Sequence, residues 1–324
     1  MIWLVWRQHR RQLFAALIGL AVLALALVPT GLSTHKAIAA YSRCVDALGT
    51  ADFVPLAAGE KCDVLAESFG ATHESWAYAG ILLLVLPLLV GLFWGAPLVA
   101  REVEHGTHRL VWTQGITRRQ WALTKVGLVG ATVVVLAAVY STLVTWWMEP
   151  LNDTIAVRFS YIFFDQQGVV PVAYTVFAVA VGIFAGTVVP RVLPAMATTL
   201  VAFLFARIAI AVFVRPNIRA SETRTGLVAG TEHVMPNPAV GNWITETSIR
   251  TGDGRVLQDG STGYCVTGGG DGTCNGMDPN AFNHWTYQPG GRFWLFQWVE
   301  SSIYVVLSVA LLYLALRRIQ KRLS

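Results

Sequence analysis

The sequence predicts an all-α polytopic membrane protein with six transmembrane helices, and three observations carry that prediction. The 324 residues are 54% hydrophobic and only 13% charged, against about 25% charged in an ordinary soluble domain. Six apolar runs each reach the roughly 20 residues that a helix needs to cross about 30 Å of hydrocarbon. The basic residues gather mostly at the ends of those runs, as membrane orientation requires, and not on one face as a nucleic-acid binder would place them. Lipid offers no partner to backbone N–H and C=O groups, so continuous apolar runs are helices. A β-barrel would alternate instead. The chain reads as a single unit, 1–324, with no nucleic-acid partner expected.

At the N-terminus, "MIWLVWRQHRRQLF" sets Trp3 and Trp6 one turn apart and gathers Arg7, Arg10 and Arg11. That pattern predicts a short interfacial helix lying in the headgroup region, with simple extension of the first span as the alternative. The first span covers about residues 13–32. Its basic flank and the "AIA" at Ala37–Ala39 resemble a signal peptide, but its core exceeds the usual 7–15 residues, so a retained span is expected.

Residues 33–76 form the first outward loop, acidic through Asp46, Asp52, Glu60, Asp63, Glu67 and Glu74. The second span follows at about 77–100. The connection after it, "LVAREVEHGTHRLVWTQGITRRQWALTK" from Leu98 to Lys125, packs five basic residues around two glutamates and a glycine. Gly106 allows a helix break through positive φ, and Thr107 can cap a short helix beyond it. Thr117 and Gln120 read as a capping box that starts the third span, at about 121–148. The connection is therefore expected as helix, break, short helix, turn, helix.

The fourth span, about 169–190, and the fifth, about 192–214, are joined by the tight turn at Arg191. Gly91 and Gly95, and likewise Gly182 and Gly186, permit close helix approach. Arg207, in "FLFARIAIAVF", stands as the one charge expected well inside a span. Such a charge is paired or functional, so a role in a substrate path or an interface is expected, with the outer surface within reach by snorkelling. Residues 215–292 form a large outward loop rich in Gly, Asp, Thr and Asn. The sixth span, about 293–316, precedes the basic tail "RRIQKRLS". The positive segments all fall on one side, which places both termini in the cytoplasm and the chain in the plasma membrane.

All four cysteines lie in the outward loops: Cys44 and Cys62 in the first, Cys265 and Cys274 in the second. Outside the reducing cytosol thiols pair, and pairing within each loop is expected among the three possible connectivities. The second loop is accordingly expected to be disulfide-stapled.

The arrangement of Glu102, Glu104, Gly106, Thr107, Gln114, Arg118, Trp121 and Lys125 resembles the second-to-third-helix connection of ABC-2 type transporter permeases, the membrane subunits of ABC exporters, in their actinobacterial form. The six spans with both ends inside, the interfacial N-terminus and the large outer segment between the fifth and sixth spans match the same family. Where many members carry a proline before the arginine, this chain has Gly115 and Ile116. The resemblance implies that the connection is a cytoplasmic coupling helix between helices 2 and 3, docking on a separate ABC ATPase subunit. Glu102, Glu104, Gly106, Thr107 and Arg118 would carry that contact, with Arg101 and Arg119 as charge partners. The plain alternative is that they cap helices and satisfy the charge rule. It further implies a second permease subunit, as a homo- or heterodimer, working within the lipid bilayer by alternating access.

No G-x-x-x-x-G-K-[ST] phosphate loop occurs in the sequence, so ATP and Mg would be bound by the partner and no cofactor by this chain. His105 and His108 lack a third ligand, and Asp271 and Asp278 lack a calcium-binding ladder, so no metal is expected. No G-x-S-x-G elbow occurs. Two other readings remain. One is a polytopic membrane enzyme with an outer-loop site, for which His233 and His284 are available. The other is a non-transporting immunity or sensing protein of the same architecture.

Overall fold

The computed structural model describes residues 2–49, 51–106, 117–154, 158–228, 234–237, 241–263 and 280–322. Among them, six helices are long and apolar enough to span a membrane: Trp6–Ala37, Leu82–Glu104, Arg119–Asn152, Val170–Val188, Val192–Asn217 and Gly290–Gln320. Each contains or overlaps an expected span, most with longer ends. With six spans the two termini share one face of the bundle, called here the terminal face.

α1 (Ile2–Ala37) is one unbroken helix. The separate interfacial helix expected at the N-terminus is instead its first turns, because residues 2–18 hold no glycine or proline to interrupt the ladder. The guanidinium of Arg7 lies over the ring of Trp3 at 5.3 Å. α2 (Ala39–Asp46), β1 (Phe53–Pro55) and α3 (Leu56–Ile81) follow, and a disulfide between Cys44 and Cys62 ties α2 to α3.

The second span is assembled from pieces: a 3-10 turn at Leu82–Val85, α4 (Leu86–Val90), a π turn at Gly91–Gly95, and α5 (Ala96–Glu104). Pro87 and Pro97 explain the irregularity, since each removes an N–H from the helical ladder. The carbonyls four residues back receive side chains from neighbouring spans instead. Tyr140 Oη donates to Leu83 O at 3.0 Å, and Gln12 Nε2 donates to Phe93 O at 3.4 Å.

α6 (Arg118–Thr154) carries the third span, and the short α7 (Tyr161–Phe164) leads into α8 (Val170–Val188). α8 is the axis of the bundle: 83% of its apolar window is buried, against 39% or less in every other span. The two glycine pairs make its closest contact. A Cβ on Gly91 would lie 2.6 Å from that of Ala178, and one on Gly182 would lie 2.6 Å from Ala96 N and 2.7 Å from Gly91 O. α9 (Val192–Ala209) continues through a π turn at Ile210–Val214 and a 3-10 turn at Arg215–Asn217. α10 (Phe293–Arg322) closes the bundle. Leu25, Leu193, Phe205, Phe213 and Val306 point outward, as lipid-facing side chains do.

The loop side is not all turns. β2 (Glu222–Leu227), β4 (Trp243–Arg250), β5 (Val256–Asp259) and β6 (Phe282–Gln288) form an antiparallel sheet in the order β2-β6-β4-β5. β3 (Val234–Pro236) pairs with β1, Phe53 opposite Pro236, so the two long loops are joined. Strand alternation explains β6: Asn283, Trp285 and Tyr287 turn inward, and Phe53 packs on the last two rings at 5.2 and 5.3 Å. The disulfide seen lies in the first loop. Cys265 and Cys274, the expected staple of the second, lie outside the described residues.

Candidate functional site

Polar side chains are buried at two levels of the bundle. On the terminal face, α5 ends in Arg101–Glu104 and turns at Gly106, whose φ of +67° is the left-handed conformation that glycine adopts without penalty. His105 N and Gly106 N close the last turn on Arg101 O and Val103 O, both at 3.2 Å. Glu102 reaches across to Lys125 of α6, forming an ion pair in which the lysine side chain is 5% exposed. Glu104 accepts a hydrogen bond from Val192 N at 3.0 Å, placing a carboxylate on the positive end of α9. α6 begins as expected, with Gln120 N donating to Thr117 Oγ1 at 3.2 Å.

The second level lies near the opposite face. The segment Asp165–Gly168 folds back between α7 and α8, turning at Gly168 with φ of +66°. Gln297 of α10 holds it: Oε1 accepts from Val169 N and Val170 N at 3.1 Å, and Nε2 donates to Phe164 O at 3.0 Å. Asn152 and Gln167 exchange two bonds of 2.6 Å. The bonds from Val169 N and Val170 N to Gln297 satisfy N–H groups at the start of α8, as burial demands.

That turn sets Asp165 against three other charges. Arg207 Nη2 donates to Asp165 Oδ2 at 2.9 Å. Arg215 also pairs with Asp165 and donates to both oxygens of Glu300, from Nε at 2.8 Å and Nη2 at 2.9 Å. The Tyr174 hydroxyl lies between the same carboxylates, 3.0 Å from Asp165 and 2.5 Å from Glu300, with one proton to share between them. Aromatic faces complete the enclosure, Arg207 over Tyr174 at 4.4 Å and Arg215 over Phe164 at 4.2 Å. Two acids and two guanidinium groups cancel, so a neutral assembly replaces four isolated charges, each of which would be costly in hydrocarbon. It joins α8, α9 and α10 with the turn before α8.

Of the residues singled out in the sequence, Arg101, Glu102, Glu104 and Gly106 share the end of α5 at the terminal face, and Arg119 lies in the first turn of α6. Thr107 and the expected short coupling helix fall on residues 107–116, outside those described. Arg118 begins α6. Arg207 does not reach for the surface but turns to Asp165. Asp165, Tyr174, Arg215 and Glu300 were not anticipated. Arg207 is not the one charge set inside a span, because Glu300 lies 1% exposed in the sixth. Its signal in the sequence is "FQWVESSIYVV", an acid eight residues into an apolar run.

A six-span bundle with an α8 axis, apolar outer faces and charges cancelled internally defines a multi-pass membrane protein. A family model described as ABC-2 membrane transporter related matches residues 17–215, more than half of the chain, and the chain belongs to that family of transporter permeases. No curated protein and no solved structure matches it. The match ends at Arg215, which pairs with Glu300 beyond it.

Proposed function

We propose that the chain is the transmembrane permease subunit of an ATP-driven exporter in the plasma membrane, with its terminal face in the cytoplasm. A separate ABC ATPase subunit binds ATP and Mg, and a second permease subunit completes the path. The chain itself performs no covalent chemistry. The ATPase docks on the connection after α5 through Arg101, Glu102, Glu104, Gly106, Thr107, Arg118 and Arg119.

The observation that carries this reading is the pair of ties on Glu102 and Glu104. One fastens the end of the second span to the third through Lys125, and the other fastens it to the start of the fifth through Val192. A push on the connection would therefore move three spans together. The neutral cluster around Asp165 would hold the fourth, fifth and sixth spans as a block at the far end, giving that motion a fixed point. Arg207 belongs to that block through its pair with Asp165.

His105 is exposed, so His105→Cys offers a thiol for an impermeant maleimide. Labelling only after cell permeabilisation is expected, and labelling of intact cells overturns the orientation. Gly106→Phe should keep the chain in the membrane yet release an ATP-hydrolysing chain that co-purifies with the wild type. Retention of that chain by the variant counts against docking at this site.

A further inference from the structure

We infer that a groove along α1, the second span and α6 holds one anionic phospholipid, acyl chain within the bundle and phosphate at the terminal face. This goes beyond the permease reading and does not depend on it. Two adjoining cavities make the groove. The first, of about 490 Å³, is lined almost wholly by apolar side chains, among them Leu20, Leu23, Leu86 and Val133. The second, of about 460 Å³, is lined mostly by polar ones, among them Gln12, Arg101, Glu102 and Lys125. Trp94 lines both.

The polarity changes in step on all three elements. On α1 the lining residues are Gln8, His9 and Gln12, followed from Ala16 to Ala26 by small and apolar side chains along one side of the helix. On the second span the change falls between Leu98 and Arg101, and on α6 between Lys125 and Val133. From Ala16 to Ala26 the rise is about 15 Å, half of the roughly 30 Å hydrocarbon thickness. The apolar part is thus as deep as one leaflet, and the polar part opens at its headgroup level.

The charge at the mouth selects an anion. Arg101 is exposed there, while Lys125 is already balanced by Glu102, which leaves an excess of one positive charge. Gln8 and Gln12 add amide donors, and His9 Nε2 is buried with no hydrogen-bond partner among the described residues. Basic pockets between spans at the headgroup level are suited to phosphate heads. Each volume falls within the roughly 300–1,000 Å³ of ordinary ligand pockets. A free phosphate would use the mouth and leave the cleft unfilled, whereas a neutral lipid would use the cleft alone.

The test is lipid retention by the full chain, purified in detergent, on native mass spectrometry after titration with phosphatidylglycerol or phosphatidylcholine. One phosphatidylglycerol per chain should persist at detergent levels that strip phosphatidylcholine. A Cβ on Gly19 meets nothing within 4 Å, so Gly19→Trp can extend into the cleft and should lower phosphatidylglycerol retention about tenfold. Arg101→Gln should lower it comparably while leaving the weak phosphatidylcholine adducts unchanged. Equal retention of the two lipids by the wild type overturns the proposal. So does full retention by either variant, and so does displacement of the lipid by millimolar inorganic phosphate, which would assign the mouth to a free anion.

Discussion

Charge is buried at both ends of this bundle, but by different means. On the terminal face a single ion pair, Lys125 with Glu102, stands beside a cavity, and the acid side chain keeps 15% exposure. Near the opposite face two acids, two arginines and a tyrosine close on one another with Arg215 wholly buried and Glu300 at 1%. Water can reach Glu102 when its partner is removed, but it has no such access to Glu300. The lesson is that the same charge types act as an adjustable tie in one place and a fixed lock in the other. The deciding variable is what can solvate a carboxylate when its cation leaves.

The largest effect should come from breaking the lock. Arg215→Met leaves Glu300 without its cation, beside the Tyr174 hydroxyl and apolar side chains, and losing one partner of a buried pair costs about 3–5 kcal/mol. Denaturant unfolding in detergent, followed by tryptophan fluorescence, reads that loss. The double variant Arg215→Met with Glu300→Met removes both charges, and most of the stability should return. A single variant within about 1 kcal/mol of the wild type would end the claim that Glu300 is sealed from water.

The two assemblies also differ in how far the sequence revealed them. Glu102 and Lys125 lie 23 residues apart in one dense polar connection, and that density drew attention to both. Asp165, Arg207, Arg215 and Glu300 are spread over 135 residues, on the turn before α8, the fifth span and α10. No local pattern joins them; only the packing of α8 against α9 and α10 does. The spans themselves were legible, because length and apolarity are properties of a single segment. The facing glycine pairs were visible as motifs, though not as partners of each other. The pieces of the second span followed from Pro87 and Pro97, but the donors from Tyr140 and Gln12 required the fold. The sheet was hidden for another reason: "WITETSIR" and "FNHWTYQ" alternate as strands do, yet glycine- and aspartate-rich sequence around them made the whole stretch read as turns.

At the terminal face the expected loss is smaller. Lys125→Met deprives Glu102 of a charged hydrogen-bond partner, an interaction worth about 1.5–3 kcal/mol. The neighbouring cavity admits water to the remaining carboxylate, so the loss should fall below that of Arg215→Met in the same unfolding assay. Equal losses would mean that the cavity does not hydrate Glu102, and the contrast between tie and lock would fail.

The smallest effect sets the baseline. Arg250 and Glu246 on β4 form a third pair, 3.0 Å apart, with side chains 28% and 51% exposed. Exposed pairs gain little, because water solvates each partner nearly as well as the other partner does, and holding two long side chains in one geometry costs entropy. Glu246→Gln should therefore change stability by less than about 1 kcal/mol, despite removing the same kind of contact. Unfolding of this variant beside the other two gives a series in which chemistry is held nearly constant and access to water is varied. If Glu246→Gln costs as much as Lys125→Met, solvent access is not what ranks these pairs, and the ordering must come from the number of hydrogen bonds each cation makes.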